Sequence, residues 1–152
     1  MINSFSGRWH FLSNFHPCKI EYQGIVYPSV EHYYVAMKVK GDQFFNGLYI
    51  TSADCRELIS KLPSAGEAKR FGTQIKLRKD WDIIKLSIME WGLIEKFKDE
   101  SLKQMLLSTG DQELIEENFW HDNFWGSCSC SKCNNSGDNN LGKLLMKIRK
   151  DI

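Results

Sequence analysis

Three residues of this 152-residue chain have the types and surroundings to break a covalent bond: Glu31, Lys38 and Asp122. Glu31 and Lys38 stand two helical turns apart, so on one helix they project from the same face, about 10 Å apart along the axis. Tyr34 and Val35 lie between them on that face. On a surface helix these would be two solvated charges. In a cleft, desolvation lowers the lysine pKa and makes the amine a nucleophile toward a sugar C1, and the carboxylate can serve as acid or base.

Asp122 lies in Phe119-Trp120-His121-Asp122-Asn123-Phe124-Trp125-Gly126. A carboxylate among bulky rings either caps a turn over the tryptophans or works in a pocket walled for a planar base, and the pattern leaves both open. Lys69-Arg70 and Lys76-Leu77-Arg78-Lys79 are basic, and the second precedes Asp80-Trp81, where Asp80 is placed as a helix cap. Lys76 and Arg78 ahead of that helix start are candidate phosphate ligands. Asn139 or Asn140 opens the last helix, whose free N–H groups suit an anion or a sugar hydroxyl as well as plain capping.

Cys128, Cys130 and Cys133 form C-x-C-x-x-C, three thiolates and one ligand short of a closed tetrahedral zinc site. His121 is available as a fourth, although the spacing does not require it. Reduced thiols in a flexible loop, with no metal and no cofactor in the chemistry, are the expected state. Cys18 and Cys55 are isolated and read as small apolar groups.

Several elements must position these groups. Residues 19–27 read as a hairpin turning at Gln23-Gly24. Pro28-Ser29 announces a helix over 30–40. Further helices are expected over 41–49, 52–62 with Ser52 as cap, and 64–71 from Ser64 with Glu67 in a capping box and Gly72 as the stop. A long helix over 80–98 carries Trp81, Ile84, Ile88, Trp91, Ile94 and Phe97 as a buried stripe. Residues 101–108 follow as a helix, 113–115 as a short strand and 141–150 as the closing helix. The expected fold is mainly α with a small β-hairpin element, in one domain over residues 1–152.

Composition limits the function classes. Hydrophobic residues at 42% and charged residues at 26% suit a globular chain and exclude a disordered one. A net charge of +1 offers no bulk attraction for nucleic acid, so anion recognition must be local. The first residues lack the basic flank and apolar core of a signal peptide, and no apolar run reaches the roughly 20 residues of a membrane span. A cytoplasmic protein with reduced thiols and no membrane partner is expected.

The motifs occur in an order that resembles a known family. Phe5-Ser6-Gly7, Phe11-Leu12-Ser13-Asn14-Phe15, Tyr27-Pro28-Ser29-Val30-Glu31-His32-Tyr33, Asp122-Asn123-Phe124-Trp125-Gly126 and Asn140-Leu141-Gly142-Lys143-Leu144-Leu145-Met146 are similar to those of the YbiA-like, or NADAR, family. Lys76 to Trp81 and Glu95-Lys96-Phe97 match its middle part, so the resemblance covers residues 5–149. It implies a compact, mostly helical domain that hydrolyses an N-glycosidic bond. The implied substrates are phosphoribosylaminopyrimidines of riboflavin synthesis or ADP-ribose on guanine, with nucleic acid a partner only in that ADP-ribosylated form.

By the same resemblance Glu31 falls on the family's acidic position and Lys38 on a lysine that attacks C1 as a Schiff base. Asp122 and Trp125 fall on its acid-and-aromatic motif, and Phe11, Ser13 and Asn14 line the sugar or base site. Arg70, Lys76, Arg78, Trp81 and Asn140 complete the expected substrate contacts. The departure is the cysteine insert after Gly126, where many relatives carry a short Gly-rich turn. Two other readings compete: a non-catalytic ADP-ribose or nucleotide-binding module using the same cleft, and a zinc-dependent interaction domain built on the cysteines. Neither explains Glu31, Lys38 and Asp122 together.

Overall fold

Two dipeptides in left-handed backbone, Gln23-Gly24 (φ 48° and 81°) and Asn46-Gly47 (φ 49° and 82°), shape the β content of the first half of the molecule. The computed structural model describes residues 1–152. Two positive φ angles in succession make the type I′ turn that matches strand twist. Accordingly β1 (Ile20–Tyr22) pairs antiparallel with β2 (Ile25–Tyr27), and β3 (Gln43–Phe45) with β4 (Leu48–Ile50). The first hairpin is the expected one. The second replaces the helix expected over 41–49, because Asn-Gly flanked by Phe, Tyr and Ile favours a hairpin and penalises a helix interior.

The rest is mainly helical, as expected: six α-helices, one 3-10 turn and three two-stranded sheets. The chain divides into two compact units, Asn14–Lys96 and a second one made of Met1–Ser13 with Phe97–Ile152. No helix is long and apolar enough to cross a membrane.

Within Asn14–Lys96 the central element is α1 (Val30–Ala36), all seven residues of which are buried. It touches α2 (Ser52–Ser60), α3 (Ala65–Gly72) and α4 (Trp81–Lys96). A helix covered on every side carries apolar residues all round, and its polar members need partners. His32 has them: Nδ1 lies 2.6 Å from Ser29 Oγ and Nε2 2.9 Å from the Leu62 carbonyl. Ser29 also caps the helix, accepting from the His32 N–H at 3.1 Å. The helix ends at Ala36, short of the expected residue 40. Met37, Lys38 and Val39 follow in tighter turns, with the Lys38 N–H reaching the Val35 carbonyl at 3.1 Å.

Caps explain the neighbouring helices. Thr51, one residue before the expected Ser52, accepts from Asp54 N–H at 3.1 Å and starts α2. Ser64 caps α3 as expected, accepting from Glu67 N–H at 3.1 Å. On α4 the buried residues are Trp81, Met89, Gly92, Leu93 and Lys96, whereas Trp91 and Ile94 of the expected stripe are exposed. A Cβ on Gly92 would lie 2.7 Å from the Tyr33 ring, so glycine there sets how closely α1 and α4 approach.

In the second unit the 3-10 turn Gly7–Leu12 buries Phe11 and Leu12. Helix α5 (Glu100–Leu107) is capped by Asp99, whose Oδ1 accepts from Leu102 N–H at 2.9 Å. Helix α6 (Asn140–Asp151) buries Leu141, Leu145 and Ile148. The expected strand over 113–115 reduces to a single bridge between Leu114 and Ile2. The sheet proper is a parallel pair of β5 (Glu117–Asn118) and β6 (Ser127–Cys128). Asn139, in left-handed backbone at φ 51°, spans from Glu116 N–H (3.0 Å) to the Leu114 carbonyl (2.9 Å) and straps α6 to that segment.

Candidate active site

Lys38 follows α1 closely enough to keep its amine over an aromatic shelf. Its Nζ stands 5.3 Å from the centroid of Tyr34 and 5.8 Å from that of Trp81, and the two rings lie 4.9 Å apart at 56°. Trp81, the first residue of α4, is only 6% exposed. Two forces oppose each other there. The ring faces favour an ammonium by about 1 kcal/mol, whereas loss of water disfavours it. Desolvation wins: burial holds the Lys38 pKa below the ordinary lysine range, with the Glu31 charge pulling it back up and Lys69 pushing it further down.

The niche is closed behind by a missing side chain. A Cβ on Gly72 of α3 would lie 3.1 and 3.3 Å from the Val35 methyls and 3.6 Å from Lys38 Nζ. Gly72, legible in sequence only as a helix stop, therefore also makes room for the amine.

Glu31 sits in the first turn of α1 and is 9% exposed. Its backbone N–H donates to the Asn14 carbonyl at 3.1 Å, which brings the Asn14 side chain beside the helix start. Asn14 Nδ2 donates to Met89 Sδ at 3.4 Å, and its Oδ1 is buried with no hydrogen-bond partner. A buried amide oxygen left in that state is a ready acceptor for a ligand N–H or O–H.

The expected phosphate ligands are placed differently from one another. Arg78 is a clasp: its guanidinium grips Asp80 through Nε–Oδ1 at 2.7 Å and Nη2–Oδ2 at 3.2 Å, and Nη1 donates to the Met37 carbonyl at 3.4 Å. Its N–H donates to the Lys38 carbonyl at 3.2 Å. Asp80, expected as a cap, spends its carboxylate on Arg78, which holds the carboxyl below the usual range. Lys76 is exposed, with its backbone held by Gln43 (N–H to Oε1, 2.9 Å), and lines an open cleft of about 400 Å³ together with Lys40, Lys79 and Arg78. Glu31, Lys38 and Trp81 are not among that cleft's walls. Arg70 is exposed on the last turn of α3.

In the second unit Asp122 is held by hydrogen bonds. Its Oδ1 accepts from the N–H groups of Phe124 (3.2 Å) and Trp125 (2.9 Å), the turn-capping geometry. Buried Asn118 clamps the same segment, its Oδ1 accepting from Trp120 N–H (3.3 Å) and Asp122 N–H (3.1 Å) and its Nδ2 donating to the Asp122 carbonyl at 2.8 Å. Trp125 meets Phe124 edge to face at 4.8 Å, and Asn140 donates through Nδ2 to the Phe124 carbonyl at 2.9 Å. Phe11 is 2% exposed against Trp9, and half-buried Ser13 closes the 3-10 turn. Sequence reasoning missed Asn118; an Asn at the head of an aromatic run is the signal that marks it. The groups able to hold a metal are His121, Cys128, Cys130 and Cys133, whose ligand atoms lie within 4.8 Å of one another.

The family model described as the NADAR domain matches residues 3–152. An N-glycosidase of Nostoc punctiforme is 38% identical over 92% of this chain and 83% of its own length. A riboflavin biosynthesis protein of Vibrio vulnificus is 34% identical over 93% of this chain, which spans 35% of that longer protein. The N-glycosidase YbiA of Escherichia coli is 32% identical over 92% of this chain and 79% of its own length. The NMR structure of Escherichia coli YbiA is similar with a TM-score of 0.73 at 29% identity, covering 99% of this chain and 84% of that one.

Proposed function

This chain belongs to the NADAR domain family and is an N-glycosidase, and from that premise we propose that it hydrolyses the bond joining a base or amine to a phosphorylated ribose through the amine of Lys38. Phosphoribosylaminopyrimidines of the riboflavin pathway and ADP-ribosylated guanine are the substrates to try first. The naming of one relative for riboflavin biosynthesis supports the former class. Glu31, Lys38 and Asp122 are the proposed catalytic groups. The observation that carries the reading is the Lys38 amine, set on the Tyr34 and Trp81 rings with its pKa lowered by burial.

Neutral Lys38 Nζ attacks ribose C1 while the C1–N bond breaks, and a carboxyl group, Glu31 or Asp122, passes a proton to the departing nitrogen. The ring then opens: the C1–O bond breaks, the ring oxygen takes a proton, and a Schiff base forms between Nζ and C1. Water adds at C1, the C1–Nζ bond breaks to return the lysine amine, and the sugar leaves as the ring-opened aldehyde with its phosphate still attached. Trp81 supplies a flat face for a base, and the Asn14 amide oxygen an acceptor for a hydroxyl. Lys76 and Arg70 are exposed cations available to a phosphate. The chain is proposed to act as one domain over residues 1–152.

The test is incubation with phosphoribosylamines and ADP-ribosylated DNA, with released base read by mass spectrometry and borohydride added at steady state. Base release, with a sugar adduct trapped on Lys38 and both lost in Lys38→Ala, is the expected result. Release without trapping replaces the covalent route by direct water attack. Ligand bound and recovered unchanged across the panel makes the protein a binding module.

A further inference from the structure

We propose that His121, Cys128, Cys130 and Cys133 bind one Zn²⁺ in a closed tetrahedral site that ties the cysteine insert to the segment carrying Asp122. The starting observation is convergence from three places in the chain. Cys128 lies on β6, Cys130 and Cys133 follow in a tight turn, and His121 comes from the loop after β5. The four ligand atoms lie within 4.8 Å of one another. Tetrahedral zinc with bonds of about 2.3 Å to sulfur and 2.0 Å to nitrogen requires ligand separations of roughly 3.5–3.8 Å. His121 Nδ1 already stands 3.3 Å from Cys133 Sγ and 3.4 Å from Cys130 Sγ.

That pair of contacts is itself informative. An imidazole nitrogen has one in-plane position, for a proton or a lone pair, and cannot direct it at two sulfurs at once. A cation between the three atoms satisfies all of them. The set is closed, with four protein ligands and no position left for water, which marks a structural rather than a catalytic site. Three thiolates and an imidazole are soft donors that suit zinc and disfavour magnesium or calcium.

The surroundings are those a thiolate site needs. Each sulfur accepts one N–H: Cys128 from the His121 backbone at 3.3 Å, Cys130 from the Cys133 backbone at 3.4 Å, and Cys133 from Asn123 Nδ2 at 3.5 Å. Such bonds spread negative charge from coordinated sulfur and fix its direction. The turn is held as well, by Asn134 N–H to the Cys130 carbonyl at 2.9 Å and Ser136 N–H to the Cys133 carbonyl at 3.1 Å. His121 has φ 70°, a conformation costly for a non-glycine residue, and Asn118 holds both of its chain neighbours there. Reduced thiols loose in a flexible loop, the expectation from sequence, would need none of this. Since His121 precedes Asp122 directly, the metal would fix the backbone from which that carboxylate projects.

The full chain, purified under reducing conditions without chelator, should carry about one zinc per molecule by elemental mass spectrometry. Cobalt substitution should give the intense absorption of a tetrahedral thiolate site, and chelation should lower the melting temperature reversibly. Cys130→Ser with Cys133→Ser should carry no zinc. His121→Ala, which alters an exposed side chain, should weaken zinc binding at least about 10-fold and shift the cobalt spectrum even if the double variant folds poorly. Metal-free protein that takes up no zinc on reconstitution overturns the proposal. So does a mass 2 Da low, which marks a disulfide, or one zinc per chain retained in the double variant.

Discussion

The Lys38 niche and the Asp122 loop prepare a side chain for chemistry in opposite ways. Lys38 is set by what surrounds it: rings of Tyr34 and Trp81, a glycine behind it at Gly72, and burial that takes water from the amine. Asp122 is set by what bonds to it: N–H groups of Phe124 and Trp125 on one oxygen, and Asn118 on its backbone. The first device needs a rigid packed helix, since desolvation acts only when the cavity cannot adapt. The second can be built in irregular chain, since each hydrogen bond carries its own geometry. Packing against the neighbouring helices therefore fixes the lysine's reactivity, whereas a local hydrogen-bond network fixes the carboxylate's direction.

The largest effect is expected at Lys38. Lys38→Ala should lower turnover by about 10³-fold or more while leaving ligand binding measurable by calorimetry. Survival of most of the activity would remove the lysine from the mechanism. Next comes Asp122→Asn, which keeps an Oδ1 acceptor for Phe124 and Trp125 but cannot donate a carboxyl proton. A loss of roughly 10²–10⁴-fold in kcat identifies a proton carrier, and a change of less than a few-fold leaves Asp122 as a turn cap only.

Asn118→Ala deletes three side-chain hydrogen bonds from a buried position and should cost about 2–3 kcal/mol by urea unfolding. An unchanged midpoint would show that the Asp122 segment does not depend on the clamp. The smallest effect is electrostatic. The proposed nucleophile is the neutral amine, so kcat/KM should rise with pH through the Lys38 ionisation, below the ordinary lysine range. Lys69 lowers that pKa, so Lys69→Met should move the rising limb to higher pH. A limb that stays put or moves down would assign it to another group.

What could be read in the sequence follows the range of the interactions. Gln23-Gly24, Ser29, Ser64 and the closing helix were legible because turn and cap chemistry is decided within four residues. Asn46-Gly47 carries the same kind of signal, and its two left-handed residues make 41–49 a hairpin in place of the expected helix. Asp80 misled for a physical reason: a cap and a partner for Arg78 use the same oxygens, and the guanidinium fork two residues away took them. On α4 Trp91 and Ile94 of the expected stripe face solvent, because a 3.6-residue period shows that a face exists, not how far around the helix burial extends. In the candidate site, Glu31 lies in the first turn of α1 as helix geometry alone predicts, whereas Lys38 falls two residues past the end of that helix, in the tighter turns over 37–39. The shelf of Tyr34 and Trp81, residues separated by α2 and α3, needed the fold, and so did the meeting of His121 with Cys128 of β6 and the two cysteines of the turn that follows.

The aromatic shelf beneath Lys38 also makes that residue a chemical handle. An amine that sheds its proton earlier than a solvated lysine condenses sooner with carbonyl reagents, and flat rings at about 5–6 Å attract a planar aldehyde. Lys96 has its pKa lowered further, to about 8, yet is 1% exposed and out of reach of any reagent. An aromatic aldehyde should therefore label this chain at Lys38 first, turning the geometry of the niche into selectivity for a covalent inhibitor.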